Sequence, residues 1–433
     1  LVYLTGDGTE PVDASDEATR PVVIVSTPEV GGHLREQSVP MPLTPGLDGS
    51  PVPFPCRGAR PRPGWVNADV VAGAHACLNL WYEQRTRPAP ADGWITYEQD
   101  WMARAGLPEP LPLADRWLDL IHDAARQAGW PATRPRARFC ILLTHDVDYL
   151  PSRWNLGLPR LLRALWRQLG VRKRPTDMWR LMSRYAGAVG RRRPYDEVSR
   201  IVTGEAERGV RSSFQFVVAR RHRRDPRYAA RALRPALPAG WELCLHGSYL
   251  AARVPGALAA ERARLEALAG RPVLGCRQHY LNLEPAALFR EVAAAGLRYD
   301  LSIGYNDRSG PRAGTYFPYR PYDLEAGRPH SFWEIPFVLM DTTLATVYRL
   351  DGPDALAQAR RVLQPVIDVA GSVAIIWHQE QCGGLLDPGY ERVYFDLLEW
   401  LSAQGGQFTT GGSLVPLLDS AWDATLGPAR QSR

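Results

Sequence analysis

Beyond residue 138 the chain repeats one pattern: a short apolar run, polar residues at its end, then a stretch whose apolar positions fall three and four apart. The apolar runs are FCILLTHDVD (Phe139 to Asp148), SSFQFVVA (Ser212 to Ala219), ELCLHGS (Glu242 to Ser248), PVLGCRQHY (Pro272 to Tyr280), LRYDLSIG (Leu297 to Gly304), FWEIPFVLM (Phe332 to Met340) and SVAIIWHQE (Ser372 to Glu380). They predict seven strands. Between them, ALAAERARLEALAG puts Leu258, Leu265 and Leu268 on one helical face, with Gly270 as a stop. EPAALFREVAAAG has Pro285 near a helix start and Gly296 at its end, and YERVYFDLLEWLSAQGG repeats the arrangement. Strands alternating with helices predict βα units around a parallel sheet, an α/β fold closing as an irregular seven-stranded (β/α) barrel.

Upstream the pattern differs. Residues 1 to about 65 are rich in Pro, Gly and Asp, with one strand-like run, PVVIVST at Pro21 to Thr27; VVAGAHACLNLWYEQ (Val70 to Gln84) and LADRWLDLIHDAARQ (Leu113 to Gln127) have helical spacing. PATRPRA (Pro131 to Ala137) interrupts both periods. The expected organisation is an N-terminal accessory domain over 1–135 and a barrel over 136–433.

Composition narrows the class. With 45% hydrophobic and 23% charged residues, the 433-residue chain falls in the globular range. Six cysteines without a CxxC pair argue against a disulfide or zinc-ribbon framework. The net charge of +6 is concentrated: Pro151 to Arg200 holds thirteen Lys/Arg against three acidic residues, a basic helical insert at about 151–200. That insert reads either as a lid packed on the barrel or as an attachment to an anionic membrane surface or lipid-linked glycan. No nucleic-acid motif accompanies the charge. No run of about 18 apolar residues occurs, and LVYLTGDGTEPVD has no secretory-signal pattern. The expected location is therefore cytoplasmic with possible membrane association; residue 1 is Leu, so an upstream segment is compatible with the sequence.

Reactive residues gather where the predicted strands end. His145, Asp146 and Asp148 close the first, His246 the third, Arg277 and His279 the fourth and His378 the seventh. In a parallel barrel these ends share one mouth, where such folds hold active sites. Asp146 and Asp148, two apart, can share one side of a strand. Beside a divalent metal, one could be a ligand and the other accept a proton from water, with His246 and His279 completing an N/O set. His378 could protonate a leaving group. The bland alternatives are a turn or helix cap for Asp-x-Asp and structural or solvated roles for each histidine. Arg277 reads as a rim charge or as a clamp on Asp146, and Asp341 as a hydrogen-bond acceptor for His378 or an N-cap.

THDVD, LHGSY, RQHY and IIWH, in this order over about Phe139 to Leu418, resemble the motifs of polysaccharide deacetylases, the NodB-homology group of metal-dependent carbohydrate esterases. The resemblance is greatest to a divergent branch with THDVD and RQHYL after a separate N-terminal domain. It implies a deacetylase-type barrel. It also implies Asp146 as base, Asp148 and His246 as metal ligands, Arg277 orienting Asp146 and His378 as acid. The second motif normally carries another His four residues on, where this chain has Leu250, and His279 stands where the third normally has Pro. His279 is the expected substitute ligand. Tyr280 and Trp377 are the expected substrate-contacting aromatics. The implied reaction releases acetyl groups from N-acetylated sugars of a surface polysaccharide or its precursor, with zinc as the expected metal. Competing expectations are hydrolysis of another non-peptide C–N bond and a metal-free glycan-binding protein.

Overall fold

The computed structural model describes residues 68–86, 95–131, 139–148, 197–226, 237–382 and 388–426, with short β segments at 2–5, 23–26, 43–45, 51–53 and 65–66 and isolated helical positions at Leu162, Trp166 and Met182. Most of the basic insert lies outside the described residues, as does the expected domain boundary between 135 and 136.

The barrel sheet has nine strands rather than seven: β1 (Cys140–Val147), β2 (Ser213–Phe216), β3 (Glu242–Gly247), β4 (Gly275–Gln278), β5 (Tyr299–Asp300), β6 (Trp333–Glu334), β7 (Phe337–Met340), β8 (Ser372–Ile376) and β9 (Gln407–Thr409). Every pairing in it is parallel, in the order β6-β5-β4-β3-β2-β1-β8-β7, with β9 beside the start of β1. The two additional strands have separate causes. FWEIPFVLM divides because Pro336 has no N–H to give a ladder; its halves pair with opposite edges of the sheet, β6 with β5 and β7 with β8. One extended segment thus supplies both edges and brings the sheet round. β9 is three residues long, too short to give a periodic signal.

Helices cover the outside of the sheet. Ala257–Ala269 ends at Gly270 (φ 69°), and Pro285–Ala294 begins on Pro285 and is followed by Gly296 (φ 65°), as the sequence predicts. Alternation along β1 sorts its side chains: Ile141 and Leu143 join the core, while Thr144, Asp146 and Asp148 follow one another on one face at intervals of two.

The N-terminal part has a core of its own, built from α1 (Val70–Leu78) and α2 (Leu113–Gln127) around Trp117, Trp101 and Met102. The helix expected over Val70 to Gln84 breaks at Leu80 (φ 50°) and resumes at Trp81–Thr86. Pro21 to Thr27 contains a strand, Val23–Ser26, which is the middle one of three parallel strands with Val2–Thr5 and Trp65–Val66. This part docks on the long loop after β5. Arg312 donates to both carboxylate oxygens of Glu83, Thr315 Oγ donates to Asp115 at 2.6 Å, and the Tyr322 N–H donates to Asn79 at 2.6 Å.

Candidate metal centre

The strand-end residues meet. Asp148, His246 and His279 offer ligand atoms that all lie within 4.8 Å of one another. Both imidazole Nε2 atoms are 3.5 Å from Asp148 Oδ1. Each ring is oriented from behind: His246 Nδ1–H donates to the Arg277 carbonyl at 3.0 Å and His279 Nδ1–H to Asp225 Oδ1 at 3.1 Å. Those bonds set the tautomer that turns the Nε2 lone pairs inward. Asp148 Oδ1, buried between them, has no hydrogen-bond partner among the described residues, whereas buried polar atoms ordinarily have one. A divalent cation fits this donor set of one carboxylate and two imidazoles, which is of the type that holds zinc with a position left open. Burial alone would raise the Asp148 carboxyl, but His279, His246 and His378 outweigh it and hold the group far below the usual carboxylate range.

Asp146 lies to one side. Arg277 is fully buried and uses three donors, Nη1 to Asp146 Oδ1 at 2.6 Å, Nη2 to Thr144 Oγ at 2.8 Å and Nε to the Leu301 carbonyl at 3.0 Å. The clamp leaves Asp146 Oδ2 facing the cluster, 3.6 Å from His246 Nε2. Burial raises Asp146, but Arg277, then His246 and His378, bring it below its ordinary value. The same carboxylates raise His246 against the opposing effect of burial.

His378 lies to the other side, its Nε2 4.0 Å from Asp148 Oδ2. Asp341, the residue after β7, accepts from His378 Nδ1–H at 2.7 Å and from the His378 backbone N–H at 2.9 Å. Asp341 also accepts from the Thr342 N–H. Against the lowering effect of burial, Asp341 and then Asp148 and Asp146 push the His378 pKa up to about 10.

Of the two aromatics, Tyr280 stands at the rim, 39% exposed and edge-on to Tyr249, with φ 59°. Trp377 does not. It is fully buried against Tyr390 and Tyr394, because the residue before His378 faces the helix layer, and this corrects the expectation that it contacts substrate. His145 likewise faces outward, where Nε2 meets Glu205 at 2.9 Å and Nδ1–H donates to the Trp377 carbonyl at 2.7 Å. It belongs to a buried packing network with Tyr394 and Trp241 around Glu205. Sequence reasoning missed Thr144 and Asp225. Thr144 was legible in principle as the third residue of the inward series in THDVD; Asp225, in the RRDP loop, has no spacing relation to the motifs that would single it out.

No family model and no curated protein matches the chain. Among solved structures, it is similar to a Mycobacterium smegmatis protein assigned as a polysaccharide deacetylase, with 18% identity over 67% of this chain and 94% of that one and a TM-score of 0.42. It is also similar to a peptidoglycan deacetylase of Bacillus subtilis (13% identity, 70% and 100% of the chains, TM-score 0.33) and to a CE4 family pseudoenzyme of Bacillus anthracis (9% identity, 65% and 66%, TM-score 0.35). Likeness at this level assigns no residue a role.

Proposed function

We propose that this chain is a metal-dependent hydrolase that removes acetyl groups from N-acetylated sugars of a surface polysaccharide or its precursor. The observation that carries the reading is the convergence of three ligand-type side chains between a clamped carboxylate and a carboxylate-bound imidazole, from four separate stretches of chain. Asp148, His246 and His279 would hold the metal, zinc in this reading. When bound, a divalent cation supplies Lewis-acid polarisation of the acetyl carbonyl and of the attacking water. Asp146 accepts the proton of that water, with Arg277 fixing the carboxylate so that Oδ2 faces the cluster. His378, oriented by Asp341, protonates the departing amine, and Tyr280 offers a ring at the rim for the sugar.

The test is acetate release from N-acetylglucosamine oligomers by zinc-loaded protein, compared with Asp146→Asn. Turnover that disappears in the variant supports the reading, and wild-type protein that binds zinc without releasing acetate from such sugars contradicts it. Leu250 favours a second reading, a glycan-binding protein without a metal. Protein that holds no transition metal after reconstitution, yet still binds oligosaccharide, supports that alternative.

A further inference from the structure

A cavity of about 560 Å³ lies where the N-terminal part meets the barrel, and none of the metal-ligand candidates lines it. Its outer wall is the Pro108–Pro112 segment leading into α2, and its inner wall is Arg308-Ser309-Gly310 after β5. The walls come together because Gly310 has φ 125° and no Cβ. A Cβ there would fall 2.9 Å from Pro110 Cβ and 3.3 Å from the Pro110 carbonyl.

The lining is positive. Among the described residues, Arg116, Arg308 and Arg361 contribute to it against Glu109 alone, and Glu109 is 3.7 Å from Arg361. Neighbouring acids are engaged elsewhere: Asp115 accepts from Thr315 Oγ and the Tyr316 N–H, and Asp307 accepts from the Tyr97 N–H. Among the described residues neither the Arg116 nor the Arg308 side chain has a hydrogen-bond or ion-pair partner, and the Arg308 guanidinium lies 5.7 Å from the centre of the Tyr97 ring. Two guanidinium groups without acid partners suit the oxygens of an anion, whose charge-assisted bonds are the strong ones. Tyr316 and Tyr348 add aromatic surface of the sort that small-ligand sites use for the body of a ligand.

We propose that this cavity is an anion-binding site that takes a carboxylate or phosphate group through Arg308 and Arg116. It shares no residue with the metal cluster, so it stands or falls independently of the deacetylase reading. The test is isothermal titration calorimetry of the full chain, freed of metal with EDTA, against D-glucuronate, D-glucose 6-phosphate, inorganic phosphate and neutral D-glucose. The expected result is saturable binding of anions and not of D-glucose, weakened at least about tenfold by Arg116→Gln with Arg308→Gln. Because Arg116 is exposed on α2, Arg116→Gln alone gives a folded variant in which a smaller weakening is expected. Binding of inorganic phosphate as tightly as the sugar phosphate assigns the site to a free anion; binding of the sugar acids alone assigns it to a saccharide substituent. Absence of anion binding, equal binding of D-glucose, or unchanged affinity in folded variants overturns the proposal.

Discussion

Replacing Asp225 with Asn tests the site from behind. The Asp225 side chain is fully buried, and its two oxygens accept four bonds. Oδ1 takes His279 Nδ1–H at 3.1 Å and the Tyr249 N–H at 2.7 Å; Oδ2 takes the N–H groups of Arg221 and His222, each at 2.8 Å. An amide has one oxygen, so in either orientation its NH2 opposes two donors. With the oxygen toward Arg221 and His222, His279 loses its acceptor and is free to carry its proton on Nε2, the atom facing Asp148. With the oxygen toward His279, the loop that carries it is displaced. Loss of such a supporting partner typically weakens metal binding about 10- to 100-fold, or about 1.4 to 2.7 kcal/mol. Zinc titration against a chelator of known affinity measures this, with circular dichroism to verify folding. Asp341→Asn serves as the contrast: it disturbs His378, which is outside the ligand set, and is expected to slow turnover while leaving zinc affinity unchanged. A folded Asp225→Asn protein with wild-type zinc affinity would refute the assignment of His279 as a ligand oriented by Asp225.

Asp146→Asn is expected to lower kcat about 10²- to 10⁴-fold with zinc retained, as for loss of a proton acceptor; steady-state acetate release and metal analysis check it. Trp377→Ala should destabilise the fold by about 3 to 5 kcal/mol in denaturant melts, while the milder Trp377→Phe leaves KM unchanged; a KM effect in the latter would restore a substrate role. Acid should unfold the protein partly through Glu205. Burial opposes its ionisation, but His145, Tyr394 and Trp241 overcome this and hold its carboxyl below the ordinary value. A depressed carboxylate contributes stability above its unfolded pKa and loses it as pH falls through the folded one. Melting temperature should therefore fall less steeply with acid below the usual carboxylate range in Glu205→Gln than in wild type, from a lower starting value.

Where sequence signals were local, they located elements well. Gly270, Pro285 and Gly296 mark helix limits because caps depend on one residue's conformation, and the two-residue period puts Thr144, Asp146 and Asp148 on one face. The same period, applied to neighbours of motif residues, would have turned His145 and Trp377 away from the mouth; both follow from alternation at β1 and at the end of β8. Strand division at Pro336 was visible as a missing donor, yet its consequence, one segment bridging both sheet edges, depends on pairing partners far away in sequence. Asp225 was not legible because its role comes from tertiary bonds to residues 54 and 24 positions away.

The substitution of Leu250 for an expected imidazole bears on how His279 comes to serve. A ligand four residues after His246 would arrive on the same turn of chain, whereas His279 follows β4 on the neighbouring strand. To face inward directly after Gln278, the chain has to turn away at once, and it does so by placing Tyr280 and Leu281 at φ 59° and 51°. Non-glycine residues pay roughly 1 to 2 kcal/mol each for that conformation. The Asn306 side-chain amide donating to the Tyr280 carbonyl at 3.1 Å, and the Asn282 amide donating to the Tyr249 carbonyl at 2.6 Å, offset part of it. Tyr249 is also the residue whose N–H shares Asp225 Oδ1 with His279. A strained turn, its anchors and the orienting carboxylate therefore form one connected unit around His279. A merely structural histidine does not require that its Nε2 be left facing a buried carboxylate oxygen that has no hydrogen-bond partner among the described residues, and that combination is what favours a ligand at this position over an imidazole retained for packing.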